Sequence, residues 1–279
     1  MALEAARPHN VRTKLNYYHD PGDGSPPVPV LVGGNKVTNE RPTVPFEVQV
    51  IDVSGNEDRY SLNSHGFQYL KHESQEKDFT DVAALKGAYY AEMEQLYKDL
   101  TGATRVHIFG HQVRRGPSNW HSLGEGNAAK KGPLHRVHVD QSTDGAELVL
   151  RKHMPAAEAD ELLRRRYQIV NVWRPIRTVF KDPLAVAEAH SVADEDLVAA
   201  QVLYQDGSRN ETWAVLPSAR HQWYFKYGMT PDDVLLIKCF DSNVEDGLAR
   251  RVPHCAFEDP GELEREDRQS VEVRALLFY

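Results

Sequence analysis

From residue 134 to its end the chain reads as a series of short β-runs, each closed by a turn signal, and this rhythm constrains the fold most. Runs over 134–141, 167–175, 197–204, 211–216, 221–227, 234–240 and 269–279 are rich in β-branched and aromatic residues. Pro175 ends one of them, and Asp206-Gly207 joins two as a hairpin. Upstream, 28–32 and 45–53 also read as strands. In the second, Phe46, Val48 and Val50 alternate with Glu47, Gln49 and Ile51. Ser54-Gly55-Asn56 turns toward a return strand at 60–62. A helix starts at Thr80-Asp81, aligns Leu85, Tyr89, Met93 and Leu96 on one face, and stops at Gly102. Residues 105–113 form another strand and 158–167 a short helix. Helices followed by roughly eight strands imply a mainly β protein with supporting helices, a helix-supported double-sheet jelly roll.

At 279 residues, 41% of them hydrophobic, the chain can bury a large core, and a β fold of this size is read as one domain over 1–279. Residues 1–27 are polar, end in Pro-Gly-Asp-Gly-Ser-Pro-Pro, and are expected to be loose. Residues 28–133 would supply supporting strands, the helix and a lid-like loop, and 134–279 the jelly-roll core. The loop spans 115–133 and carries Gly116, Pro117, Gly124, Gly126, Gly132 and Pro133; a lid and a disordered surface loop both fit it. A net charge of −8 argues against nucleic acid as a partner. There is no apolar run long enough to cross a membrane and no signal-like start. Two cysteines fit a reducing compartment, so a cytoplasmic protein is expected.

His138-Val139-Asp140 carries the chemistry. Residues i and i+2 of a strand share a face, so this imidazole and carboxylate can bind one ion. The pair alone is weak, because 13 histidines and 41 acidic residues would give about two such pairs by chance. A third ligand from a distant strand would complete two imidazoles and one carboxylate, which hold one face of iron(II) and leave the other open. His254 is the preferred third ligand. His221 is its strongest rival, and His135, three residues before His138, lies on the opposite strand face. What favours His254 is the final strand beyond it, where Arg268, Ser270, Glu272 and Arg274 alternate on one face. Such a polar face is costly unless it is solvated or forms a site. An Arg with a Ser can clamp a carboxylate, and Arg274 shares that face as an alternative to Arg268.

Asn171, Trp173 and Arg174 lie on the strand expected near the cavity. Asn171 and Trp173 share one face and Arg174 takes the other. Trp173 fits a core as well as a pocket wall, and Arg174 fits a surface ion pair as well as recognition of a substrate carboxylate. On the residues alone two other readings stay open: a cupin-type metalloenzyme that does not use 2-oxoglutarate, and a jelly-roll binding module without catalysis.

The ordered set His138-x-Asp140, His254 and Arg268-x-Ser270 resembles the iron(II)/2-oxoglutarate dioxygenase signature. Further segments resemble the AsaB/CmcJ-like hydroxylase/desaturase family of fungal and bacterial secondary metabolism. They include His138-Val-Asp-Gln-Ser142, Asn171-Val-Trp-Arg-Pro175, Asp182-Pro-Leu184, Arg220-His-Gln-Trp-Tyr224, Pro253-His-Cys-Ala-Phe257 and Ser270-Val-Glu-Val-Arg274. The resemblance implies a double-stranded β-helix, with Fe(II) on His138, Asp140 and His254. It implies 2-oxoglutarate and O2 as cosubstrates, the distal carboxylate of 2-oxoglutarate resting on Arg268 and Ser270. It also implies hydroxylation, desaturation or oxidative cyclisation of a small molecule.

Overall fold

The computed structural model describes residues 8–38 and 41–279, so the first seven positions of the segment expected to be loose lie outside the described residues. Among the described residues fifteen strands run in chain order. They are β1 (Val11–Tyr18), β2 (Val30–Gly33), β3 (Lys36–Val37), β4 (Thr43–Asp52), β5 (Phe67–Lys71), β6 (Arg105–Arg114), β7 (His138–Val139) and β8 (Tyr167–Pro175). There follow β9 (Leu184–Ala187), β10 (Leu197–Tyr204), β11 (Arg209–Val215), β12 (Trp223–Phe225), β13 (Asp233–Asp241), β14 (His254–Ala256) and β15 (Ser270–Phe278). The helices are α1 (Val82–Ala84), α2 (Tyr90–Thr101), α3 (Thr143–His153) and α4 (Ala156–Leu162), and a π-helical turn, Leu85–Tyr89, joins α1 to α2.

The strands form two sheets. The smaller has the order β5-β13-β8-β15-β6, and the larger β1-β4-β12-β9-β14-β7-β11-β10-β2-β3. This is the jelly-roll arrangement expected from the run of short strands. Strand alternation sorts the small sheet's side chains into two layers. Ile169, Trp173, Leu235 and Ile237 join the core that also holds Leu184 and Val186 of the large sheet. Val170, Val172, Leu236 and Val273 face the other way, onto Leu85, Tyr89, Met93 and Leu96 of the helical run. Those four are the residues whose spacing marked the helix. Asp81 caps it by accepting from the Ala83 amide at 2.8 Å, and Gly102, at φ +72°, ends it in the left-handed region that suits glycine.

The centre of the large sheet positions the site. There β7 and β14 meet through one register pair, His138 opposite His254. The β9 side of this joint adds three register pairs to β14, and the β11 side adds two to β7.

Three expectations are corrected and one helix was unforeseen. Residues 11–18 are not loose: β1 pairs with β4 along its whole length, and Leu15 and Tyr17 are buried in a cluster with Trp223 and Phe225. Residues 60–62 form no strand; the strand comes later, at β5, and pairs with β13. Helix α3 was not expected, because few of its residues are apolar. Ser142 caps it by accepting from the Gly145 amide at 2.9 Å, and Ala146, Val149 and Leu150 bury one face. The short helix α4 ends before 163 because Tyr167 already belongs to β8. Among the described residues no helix is long and apolar enough to cross a membrane.

Candidate metal centre and active-site cavity

The pairing of β7 with β14 puts two imidazoles side by side on the inner face of the large sheet. The His138 and His254 ring centroids are 4.5 Å apart. Asp140 follows two residues after His138, and its Oδ1 lies 3.3 Å from His138 Nε2 and 4.0 Å from His254 Nε2. One ligand atom from each residue falls within 4.8 Å of the others. Ligand atoms about 2.0–2.2 Å from a common ion need a slightly tighter spacing than this, within reach of small side-chain rotations.

The surroundings fix which atoms face the centre. His138 Nδ1 lies 2.8 Å from the Arg136 carbonyl and His254 Nδ1 3.2 Å from the Val252 carbonyl. A carbonyl only accepts, so each Nδ1 carries the proton and each Nε2 lone pair turns inward. Burial pushes the His254 pKa below its ordinary value, and neighbouring His138 adds to the shift, which keeps His254 neutral. Burial alone would raise the Asp140 pKa. The contact with His138 and the charge of Arg274 outweigh it and hold the carboxyl well below the ordinary range. Asn171, fully buried on β8, donates from Nδ2 to Asp140 Oδ2 at 2.7 Å. Two imidazoles with Nε2 turned inward and one oriented carboxylate are a donor set that fits a divalent iron ion with an open face.

The two candidate clamp arginines differ in what they already hold. Arg274 donates from Nε to Glu272 Oε1 at 2.8 Å, and so has a carboxylate of its own. Arg268 has none. It is 4% exposed, donates from Nη1 to the Asp182 carbonyl at 2.8 Å, and stacks over the Trp173 ring at 5.5 Å. Its Nε has no partner among the described residues. Arg268 lines the same small cavity as all three candidate metal ligands, together with Trp173, Glu272 and Arg274. Ser270, two residues after Arg268, is 1% exposed and does not line that cavity.

Beside the triad lies a larger chamber of about 200 Å³. His138 and Asp140 form part of its wall, and the β2–β3 hairpin and the 115–133 segment cover it through Val37, Trp120 and Lys131. This segment is packed. Asn127 is fully buried and bonds both the amide and the carbonyl of Val37, and the Trp120 indole donates to the Pro133 carbonyl. Its two ends touch so closely that a Cβ on Gly132 would lie 2.2 Å from the Pro117 carbonyl oxygen. Desolvation, with Arg136, Arg114 and His135 nearby, pushes the His121 pKa down to about 3.

The other expected residues fall as follows. Trp173 lines the small cavity, and Asn171 reaches Asp140 rather than open space. The substrate-recognition reading of Arg174 is corrected. Alternation turns it to the helix side, where it donates to Tyr89 Oη at 3.0 Å and to the carbonyls of His72 and Pro231 at 2.6 and 2.7 Å. His221 is committed to Tyr17 at 2.9 Å and Asp196 at 3.1 Å, and His135 to Asp182 at 2.8 Å. Sequence reasoning quoted Asp182 within the Asp182-Pro-Leu184 segment but gave it no role. Its carbonyl holds Arg268, while its carboxylate joins His135 to Ser118 of the covering segment. It also missed Arg136, which the same i, i+2 rule that joined His138 to Asp140 would have placed on their face.

A family model described as an oxidoreductase/YMDC permease-like domain matches residues 15–278. The chain is 39% identical over 282 residues to the hydroxylase/desaturase CTB9 of Cercospora beticola, covering 95% of this chain and 86% of that protein. It is 34% identical over 271 residues to the alpha-ketoglutarate-dependent dioxygenase tstK of Talaromyces stipitatus, covering 95% of this chain and 96% of that protein. Among solved structures, the iron and alpha-ketoglutarate-dependent endoperoxidase NvfI superposes with a TM-score of 0.80 at 25% identity, covering 96% of this chain and 98% of that one.

Proposed function

We infer the residue roles that follow from the premise that this chain belongs to the hydroxylase/desaturase family of iron(II)/2-oxoglutarate-dependent dioxygenases. It is an oxidoreductase that uses iron(II), 2-oxoglutarate (alpha-ketoglutarate) and O2. Its substrate is a small molecule, and we assign it to secondary-metabolite biosynthesis as a hydroxylation, desaturation or oxidative ring closure. Iron(II) at the triad supplies the oxidation of a substrate C–H bond by O2, coupled to decarboxylation of 2-oxoglutarate to succinate.

The protein's part is to bind, orient and exclude water. His138 and His254 present Nε2, and Asp140 presents Oδ1, as metal ligands. Asn171 holds the second Asp140 oxygen, so the carboxylate turns one oxygen to the ion. Arg268 receives the distal carboxylate of 2-oxoglutarate; Ser270, expected as a second donor, lies outside the cavity. Glu272 keeps Arg274 engaged and so reduces its competition for that carboxylate. Trp173, against the Arg268 guanidinium, dries the clamp and strengthens its hydrogen bonds.

One observation carries this reading. A buried guanidinium without a carboxylate partner sits in the same cavity as two inward-facing Nε2 atoms and an ionised Asp140. The test is anaerobic titration with iron(II) and 2-oxoglutarate, which should give a visible charge-transfer band that is absent in His138→Ala and Asp140→Ala. Stoichiometric iron without a band in the parent protein would refute it.

A further inference from the structure

The chamber next to the triad is more basic than this acidic chain leads one to expect. Net charge is −8, yet Arg114, Lys131, Arg136 and Arg274 line the chamber, and Asp140 is the one acid among its lining residues. Arg274 is matched by Glu272. The others are not matched by acids among the described residues. Arg114 donates to the Gly132 carbonyl at 2.8 Å and Lys131 to the Gln112 side-chain oxygen at 2.9 Å. Arg136 is 8% exposed, and its Nε and Nη1 have no hydrogen-bond partner among the described residues. Guanidinium N–H groups kept from both water and acceptors are costly, so a site that retains them is built to receive an anion. His121, held neutral, adds no charge, so the positive field comes from the arginines and the lysine.

Part of the wall is apolar, beside polar residues such as Thr38, Gln112, Asn210 and Thr212. Val30, Val37, Val202 and Trp120 face the same space. Arg136 precedes His138 by two residues and lines the same chamber as this metal ligand.

Resting on the iron/2-oxoglutarate reading of the same site, we propose that the substrate is an amphipathic carboxylate. Its carboxylate pairs with Arg136, its apolar body lies under the covering segment, and the carbon to be oxidised lies several bonds from the carboxylate. The orphan Arg136 beside the triad thus serves the substrate, whereas the orphan Arg268 serves the cosubstrate.

The test uses straight-chain carboxylates of six to twelve carbons and their uncharged primary amides, added to the anaerobic iron(II)·2-oxoglutarate enzyme and followed by calorimetry. At the best chain length the carboxylate should bind at least tenfold more tightly than its amide. Arg136→Gln should reduce that ratio to below threefold, and Arg136→Lys should keep part of it. Both variants should keep the 2-oxoglutarate band, which reports that they are folded. No preference for carboxylate at any length overturns the inference, as does a preference that survives Arg136→Gln. Loss of the band in Arg136→Gln, with the band kept in Arg268→Met, would make Arg136 the cosubstrate clamp and overturn it as well. If the parent protein gives no band, the iron/2-oxoglutarate reading fails on its own, and the same ratio measured on zinc-loaded protein still decides this inference.

Discussion

Replacing Arg268 with Met separates the two clamp candidates. In the resting site Arg268 spends one N–H on the Asp182 carbonyl and sits over the Trp173 ring, and its Nε, without a partner among the described residues, is left for an incoming carboxylate. Removing one partner of a buried, hydrogen-bonded charge pair costs about 2–5 kcal/mol. Because part of the guanidinium stays with Asp182, about 3 kcal/mol is the appropriate figure, or roughly a 150-fold rise in the 2-oxoglutarate Kd. Arg274→Met should weaken 2-oxoglutarate by less than about tenfold, since Arg274 is already paired with Glu272. The two effects are read from the anaerobic charge-transfer band as 2-oxoglutarate is titrated. Folding is checked separately. Met keeps the packing on Trp173 but leaves the Asp182 carbonyl without this donor, so Arg268→Met should lose about 1–3 kcal/mol in urea denaturation while staying folded. A larger loss of 2-oxoglutarate affinity in Arg274→Met than in Arg268→Met would refute the clamp assignment.

Other positions give separable outcomes. Asn171→Ala frees the second oxygen of Asp140 and should lower iron(II) affinity about 10–100-fold, measured by competition with a chelator; unchanged affinity would remove Asn171 from the site. Arg174→Met leaves the carbonyls of His72 and Pro231 without a donor. It should cost about 3 kcal/mol in urea denaturation with the 2-oxoglutarate Kd unchanged, and a selective loss of binding would reinstate Arg174 as a ligand residue. His121 sets a pH dependence. Its folded pKa, about 3, lies below the ordinary 6.5, so the unfolded chain takes up the proton first. Stability present above pH 6.5 should therefore drain as pH falls from 6.5 toward 3, and His121→Asn should flatten that slope in acid denaturation; an unchanged slope would exclude His121 as its source.

Local patterns carried far into the fold. The alternating runs of β8, β13 and β15 were readable because each buries both faces between a core and a helical layer. The helix over 82–101 was readable from one apolar stripe. What escaped was set by partners distant in sequence. Strand β1 has a polar composition, but pairing with β4 buries Leu15 and Tyr17. Helix α3 depends on the Ser142 cap and a narrow apolar face. In the candidate site, the i, i+2 rule joined His138 to Asp140, but the choice among rival histidines needed the β7–β14 register. The face of Arg174 was readable and its partners were not, because they come from loops around 72 and 231. Asp182 belongs to the Asp182-Pro-Leu184 segment, but that segment alone assigns it no role. Its role comes from a left-handed backbone, φ +52°, that aims its carbonyl and carboxylate at different neighbours.

The single register pair between β7 and β14 has a mechanical consequence. Five strands stand on either side of it, and the backbone ladder between these wings is at its thinnest where the two histidines face each other. An ion held by both imidazoles acts as a rivet through the two leaves, so the spacing of the wings and the grip on the ion become one variable. Substitutions far away, in the β10–β11 hairpin or against β9, can then loosen or tighten the grip without touching a ligand. Such variants would be recognised by chelator sensitivity that changes in step with the sheet's hydrogen-exchange protection.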